Sequence, residues 1–488
     1  MTDLSATELA KKIKAGEILS SAVVAEHIKK IENLNPKLNA MVENCFEAAR
    51  EKAMLIDELV KTQSSQIQSQ RFLGVPFTMK EMIAVSGMMS TLGSIHRKNS
   101  ISSRDATVVE RLRSEGGVLL GTGNVPEVGL WFECWNKVYG KTSNPYDFSR
   151  TSGGSTGGDA AMVAAGLSNF SVGSDIGGSI RIPAAFCGIF GHKPTHALIP
   201  FTGHSPMSAE NAQNFAGKSY PLTVIGPIAR KSEDLWTLMR ALIGGDGIDP
   251  VVAKDIELKD KVKDWSQVKV FVLPSPKIKV TSTTETDLAE AVDEAGKYFK
   301  SLGANVSELP EDIFDKSFEY WTAAASVIEQ PSFNSYLSPE NEIAYLREFA
   351  LAPLTLGHYT LPALLIAFLE KHVSAQKDWT QTLKNLAALR SSLKETLGEN
   401  GILLMPVHPR KAPRHYSTLL RPFDFAYTGI INALRWPASS APLGLSNSGL
   451  PLSVQIVAGM NQDHLCLSAC EAIEKGFGGW TPPTGSAK

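Results

Sequence analysis

This 488-residue chain carries only five cysteines, Cys45, Cys134, Cys187, Cys466 and Cys470, and no pair has a C-x-x-C or similar spacing. That excludes a disulfide scaffold and offers no metal-ligand pattern, so reduced thiols and no bound metal are expected. Cys466 and Cys470 sit one helical turn apart and read as small apolar packers. Charge of one sign is lacking too: 48 basic side chains face 50 acidic ones. No global field therefore recruits nucleic acid or anionic lipid. The start, Met1-Thr-Asp-Leu-Ser-Ala-Thr-Glu8, has no apolar core of a signal peptide, and the expected compartment is the cytosol. No period of 20 to 50 residues repeats, which excludes a solenoid.

Long apolar runs are scarce. Phe349 to Leu369 is 21 residues without formal charge, long enough to be weighed as a membrane span. Pro353, Gly357, His358 and Pro362 interrupt it. Two short apolar helices are therefore expected rather than one span. They are read either as buried core or as a lipid-facing cap and acyl-chain wall.

What is present is an alternation of strands and helices. Ser5-Ala-Thr-Glu8 is a capping-box pattern, and Val24, Ile28 and Ile31 recur at helical spacing. The polar stretch Thr62 to Gln70 reads as a loop. Strands are expected at 118–122, 170–174, 268–272, 402–406 and 452–457. Helices are expected at 107–115, 159–165, 284–302, 425–434 and 463–475. Such interleaving predicts an α/β fold: a single large domain with a central twisted mixed sheet covered by helices on both faces. Within it, residues 1–70 are read as a helical arm, 71–310 as the core with the chemical motifs, 311–400 as a mostly helical insertion, and 401–488 as the rest of the core.

Three islands carry the chemistry: Gly74-Val-Pro-Phe-Thr-Met-Lys80, Gly153-Gly-Ser-Thr-Gly-Gly158 and Gly177-Gly-Ser179. Glycine exposes backbone N–H groups and permits tight turns. The N–H groups of Ile176, Gly177, Gly178 and Ser179 could converge on one oxygen, as an oxyanion site requires. A lysine buried near them would lose affinity for its proton and could serve as a general base. The second island also invites a phosphate at the following helix N-terminus. It lacks the Lys-Ser/Thr ending of a P-loop and the spacing of a dinucleotide site, so no cofactor is expected. His192 and His196 lie near Ser179, but the serine is not in a G-x-S-x-G context. A Ser-His-Asp triad stays open on sequence, because its members assemble in space.

Taken together, these islands resemble the amidase signature family. The likeness includes the 24-residue step from Ser155 to Ser179, the run Asp175 to Pro183, and Gly188-Ile-Phe-Gly-His-Lys-Pro194. It extends over residues 5 to 481. Asn136-Lys-Val-Tyr-Gly140, Ser143-Asn-Pro-Tyr-Asp147, Arg421 to Gly429 and Phe477-Gly-Gly-Trp480 narrow the resemblance to the animal fatty-acid amide hydrolase branch of the second type. Members of that branch carry an N-terminal hydrophobic anchor. This chain starts after its place, so the expectation is no spanning segment, with membrane contact peripheral if present.

The resemblance implies Ser179 as the acyl-forming nucleophile, Ser155 in a cis peptide as proton relay, and Lys80 as base. It implies the N–H groups of residues 176 to 179 as the oxyanion site and a homodimer as the assembly. Thr156 stands where the family often has serine; it keeps the hydroxyl and is expected to keep activity. Asp175 and Arg181 are read as structural support, with substrate contact as the alternative. Leu130, Trp131 and Phe132 are read as an acyl pocket or as plain aromatic core. The expected substrate is a small amide with an apolar acyl group, a fatty-acid primary amide or N-acylethanolamine. A small-molecule or aryl amidase, the glutaminase component of an amidotransferase, and a silent binding protein are the alternatives.

Overall fold

Among the described residues, eleven short strands, most of them buried, meet in one mixed sheet. The structure, a computed structural model, describes residues 4–205, 222–328, 332–338, 342–352 and 356–483; Met1 to Asp3 and Pro353 lie outside them. In chain order the strands are β1 (Met41–Asn44), β2 (Pro76–Lys80), β3 (Val118–Gly123), β4 (Phe170–Asp175), β5 (Phe190–Lys193) and β6 (Val224–Ala229). They continue as β7 (Lys269–Val272), β8 (Asn305–Glu308), β9 (Gly401–Met405), β10 (Ala438–Leu445) and β11 (Pro451–Ala458). Their spatial order is β1-β3-β2-β4-β6-β5-β10-β11-β9-β7-β8. Pairs β2–β3, β2–β4, β7–β9 and β7–β8 are parallel, and the others antiparallel. Helices flank the sheet, as expected of an α/β layered domain.

Near the start, α1 (Ala6–Lys14) carries the expected capping box: Glu8 N–H donates to Ser5 Oγ at 2.9 Å and Ser5 N–H to Glu8 Oε2 at 3.1 Å. Helices α2 (Ser20–Leu38) and α3 (Phe46–Lys61) follow, and Val24, Ile28 and Ile31 are buried in the same apolar cluster as β2 and β3. The arm is therefore part of the main core. Next come α4 (Thr107–Ser114), α5 (Gly157–Ala164), α6 (Arg181–Phe186), α7 (Ser232–Leu242) and α8 (Thr286–Ser301).

Between β8 and β9 lie α9 (Ser317–Ile328), α10 (Phe333–Leu337), α11 (Tyr345–Leu351), α12 (Leu361–His372) and α13 (Thr380–Leu397). The long uncharged stretch is thus divided between α11 and α12, and among the described residues no helix is long and apolar enough to cross a membrane. Helix α12 buries Ala363, Leu364 and Ala367 and leaves Leu365 and Leu369 exposed. Its start is held to the core: Thr360 N–H donates to Glu127 Oε2 at 2.6 Å, and Lys137 Nζ donates to Gly357 O. The last helices, α14 (Ala426–Leu434) and α15 (Asp463–Phe477), pack on α9 and β10 respectively.

Candidate active site

Two parallel strands set the site. β2 and β4 pair through Thr78–Ser171 and Met79–Val172, so their carboxyl ends bring Lys80 and Ser174 side by side. The crevice beyond strand carboxyl ends is where α/β sheets place ligands. Lys80 Nζ lies 2.7 Å from Ser155 Oγ, 2.9 Å from Ser174 Oγ and 3.2 Å from Ser174 O. Ser155 is on the turn before α5, after a cis Gly154–Ser155 peptide. Ser179 is on the turn between β4 and α6, and its carbonyl accepts Thr156 N–H at 3.1 Å. Lys80, Ser155, Ser174 and Ser179 line one small cavity of about 30 Å3. The structure thus brings the three expected catalytic side chains together, and Ser174 with them.

Lys80 is 1% exposed. Burial pulls its ammonium down to about 7, against the opposing charges of Asp175 and Asp159. Desolvation penalises the charged form, and nearby carboxylates only partly restore it. A fraction of neutral amine is thereby available near neutral pH, which is the state a base needs.

The turn that carries Ser179 is held from outside. Asn432 Nδ2 donates to Asp175 O at 2.9 Å, Trp321 Nε1 to Ile176 O at 2.8 Å, Thr428 Oγ1 to Gly177 O at 2.6 Å, and Ile182 N–H to Gly178 O at 2.7 Å. In a trans peptide the N–H points opposite to the C=O. Fixing these carbonyls therefore aims the next N–H groups the other way. Those of Ile176, Gly177 and Ser179 have no acceptor among the described residues.

Gly178 differs from the expectation: its N–H donates to Asp175 Oδ1 at 2.8 Å. The carboxylate three residues back captures it, so the free set is three donors rather than four. Gly178 itself has φ +128°, and a Cβ there would lie 2.2 Å from Thr428 Oγ1, so only glycine fits.

Asp175 and Arg181 are fully buried and paired at 2.8 Å. Burial alone would raise the Asp175 carboxyl, but the Arg181 guanidinium holds it well below the usual range. Arg181 also donates to Gln455 Oε1 at 2.6 Å, Asn432 Oδ1 at 2.5 Å and Thr428 O at 3.0 Å. Neither residue lines the two cavities at Ser179; both brace the turn. Thr156 packs its methyl against Gly173, where a Cβ would come within 2.5 Å.

A larger cavity of about 260 Å3 opens on Ser179. Leu130, Trp131 and Phe132 contribute to its lining, together with residues of α9, α12, the 422–425 segment and the 176–179 turn. Trp131 and Phe132 also stack on each other at 5.0 Å, and Phe132 packs with Phe425 and Ile182. The segment is thus both pocket wall and aromatic core. Trp131 Nε1 is fixed by Thr418 Oγ1 at 2.9 Å, which in turn donates to buried Glu133 at 2.6 Å.

Sequence reasoning missed Ser174, Trp321, Thr428, Asn432 and His204. A polar Asn432 inside the apolar run Gly429-Ile-Ile-Asn-Ala-Leu434 was the one local signal, because a buried amide must find partners.

A profile of the family described as Amidase matches residues 22–467. The chain belongs to the amidase signature family. It is 36% identical to human fatty-acid amide hydrolase 2, over 98% of this chain and 90% of that protein. It is 30% identical to an acylamidase of Rhodococcus erythropolis, over 96% of this chain and 95% of that protein. Among solved structures, 6-aminohexanoate cyclic dimer hydrolase bound to substrate superposes with a TM-score of 0.80 at 23% identity, covering 99% of each chain. The last shares the fold. This amidase-signature protein is therefore a hydrolase of amide bonds, acting on small amide substrates.

Proposed function

We propose that the chain hydrolyses fatty-acid amides, primary amides or N-acylethanolamines, through Lys80, Ser155 and Ser179. The observation that carries this reading is the apolar cavity at Ser179. Its described lining includes Leu365, Ile366 and Leu369 from α12 and no lysine or arginine. Apolar burial stabilises a bound chain by about 25 cal/mol per Å2, so an alkyl group binds there without charge. The amino-acid substrate of a glutaminase would find no cation for its carboxylate among these residues. The insertion 311–400 serves as the acyl-binding cap on the 71–310 and 401–488 core.

In this mechanism neutral Lys80 takes the Ser155 proton while Ser155 takes that of Ser179. Ser179 Oγ attacks the carbonyl carbon, and the oxyanion rests on the N–H groups of Ile176, Gly177 and Ser179. The proton returns through Ser155 to the leaving nitrogen as the C–N bond breaks. Water then cleaves the acyl-enzyme by the same route, giving a fatty acid.

A second reading, an aryl amidase, is favoured by the rings of Trp131, Phe132, Trp321 and Phe425 in the same wall. A panel of oleamide, an N-acylethanolamine, an aryl acylamide and glutamine, assayed with the purified chain, decides. Oleamide is expected to turn over fastest. Turnover of the aryl amide with none of the long acyl amides would overturn the fatty-acid reading. Ser179→Ala is expected to lose labelling by a fluorophosphonate and at least about three orders of magnitude in turnover.

A further inference from the structure

Among the buried polar groups of the small cavity that the relay leaves unused are Ser174 and His204. His204 Nε2 lies 2.8 Å from Ser174 Oγ, the same atom that stands 2.9 Å from Lys80 Nζ. His204 is 1% exposed, and its ring stacks on Phe201 at 4.3 Å and 25°. Its backbone is stitched to the residues that follow Lys80. His204 bridges Ile83, Ala84 N–H donates to Gly203 O at 2.9 Å, and Ser205 N–H to Met82 O at 2.8 Å. The imidazole is therefore fixed relative to the lysine.

A neutral primary amine has two N–H donors and one lone pair. Ser174 offers two acceptors within reach, Oγ and the carbonyl O. If these take both hydrogens, the lone pair is left for the Ser155 hydroxyl at 2.7 Å. That arrangement requires the single hydrogen of the Ser174 hydroxyl to point away from Lys80. Turned toward Lys80, it would compete with Ser155 for the one lone pair.

We propose that His204, accepting at Nε2, is a positioning residue that turns the Ser174 hydroxyl away from Lys80 and so presents the amine lone pair to Ser155. The inference rests on the Lys80–Ser155–Ser179 reading. His204 acts through Ser174 and exchanges no proton with substrate. The tautomer this needs carries its hydrogen on Nδ1.

The test uses the purified chain and the rate constant of fluorophosphonate labelling, together with kcat and KM on oleamide. His204→Phe keeps a ring and removes the acceptor; His204→Gln supplies an amide oxygen instead. Loss of one hydrogen bond predicts about tenfold slower labelling and lower kcat for His204→Phe, with KM unchanged. His204→Gln is expected to recover to within about threefold of the parent. In a Ser174→Ala background, His204→Phe is expected to cost nothing more, because coupled residues are not additive.

Parent-like labelling by His204→Phe, no recovery with His204→Gln, or losses that multiply in the double variant would each overturn the proposal. Should His204→Phe fail to fold, His204→Leu, which also removes the acceptor, decides in its place: a parent-like labelling rate overturns the proposal. Labelling that survives in Ser179→Ala would instead sink the relay reading itself, which separates the two failures.

Discussion

At the scale of single residues, the fold strips the solvent from Lys80. Lys80 ends a strand whose five residues are all buried, and its ammonium is brought down to about 7 by that burial. Below this value the amine is protonated and cannot accept from Ser155; above it the lone pair is free. kcat/KM for amide turnover is thus expected to fall tenfold per pH unit below about 7 and to level off above it. Lys80→Met is expected to lose this limb together with at least about a hundredfold in rate. A pH–rate profile of the two proteins checks it; an unchanged acid limb in Lys80→Met would assign it to another group. The same residue shows what a linear reading can and cannot see. Its motif was legible, because a lysine after Gly74-Val-Pro76 stands out in an apolar stretch. Its partner Ser174 was not, because pairing of β2 with β4 is a property of the sheet and leaves no local mark.

At the scale of elements, the turn that carries Ser179 depends on helices that come much later in the chain. Thr428 on α14 reaches Gly177 O, and Trp321 on α9 reaches Ile176 O. Thr428→Val keeps the shape and deletes the hydroxyl. It is expected to lower kcat about tenfold, the worth of one hydrogen bond, with KM little changed. Steady-state kinetics beside a melting curve checks this; a raised KM with normal kcat would place Thr428 in substrate binding instead. Strands with plain apolar patterns, such as 118–122 and 402–406, were legible. β5, β6 and β10 were not, since Gly191, Pro227 and Pro442 interrupt the alternation that marks a strand. The four-donor oxyanion set was overestimated for a related reason. A glycine turn shows how many N–H groups are uncovered, but not that Asp175 claims the one at Gly178.

At the scale of the whole molecule, the sheet joins what the sequence separates. β5, at 190–193, pairs with β10, at 438–445, and Arg181 is clasped by Asn432 and Gln455. Removing those partners would leave a buried ion pair with unmet hydrogen bonds, which costs several kcal/mol. A product ending at residue 400 is therefore expected to show no fluorophosphonate labelling at Ser179. Adding residues 401–488 as a separate polypeptide is expected to restore part of it; labelling of the short product alone would refute the dependence. One corollary concerns synthesis. The ribosome releases Ser179 hundreds of residues before Thr428, Asn432 and Gln455, so a nascent chain is expected to stay unreactive until its last segment has docked.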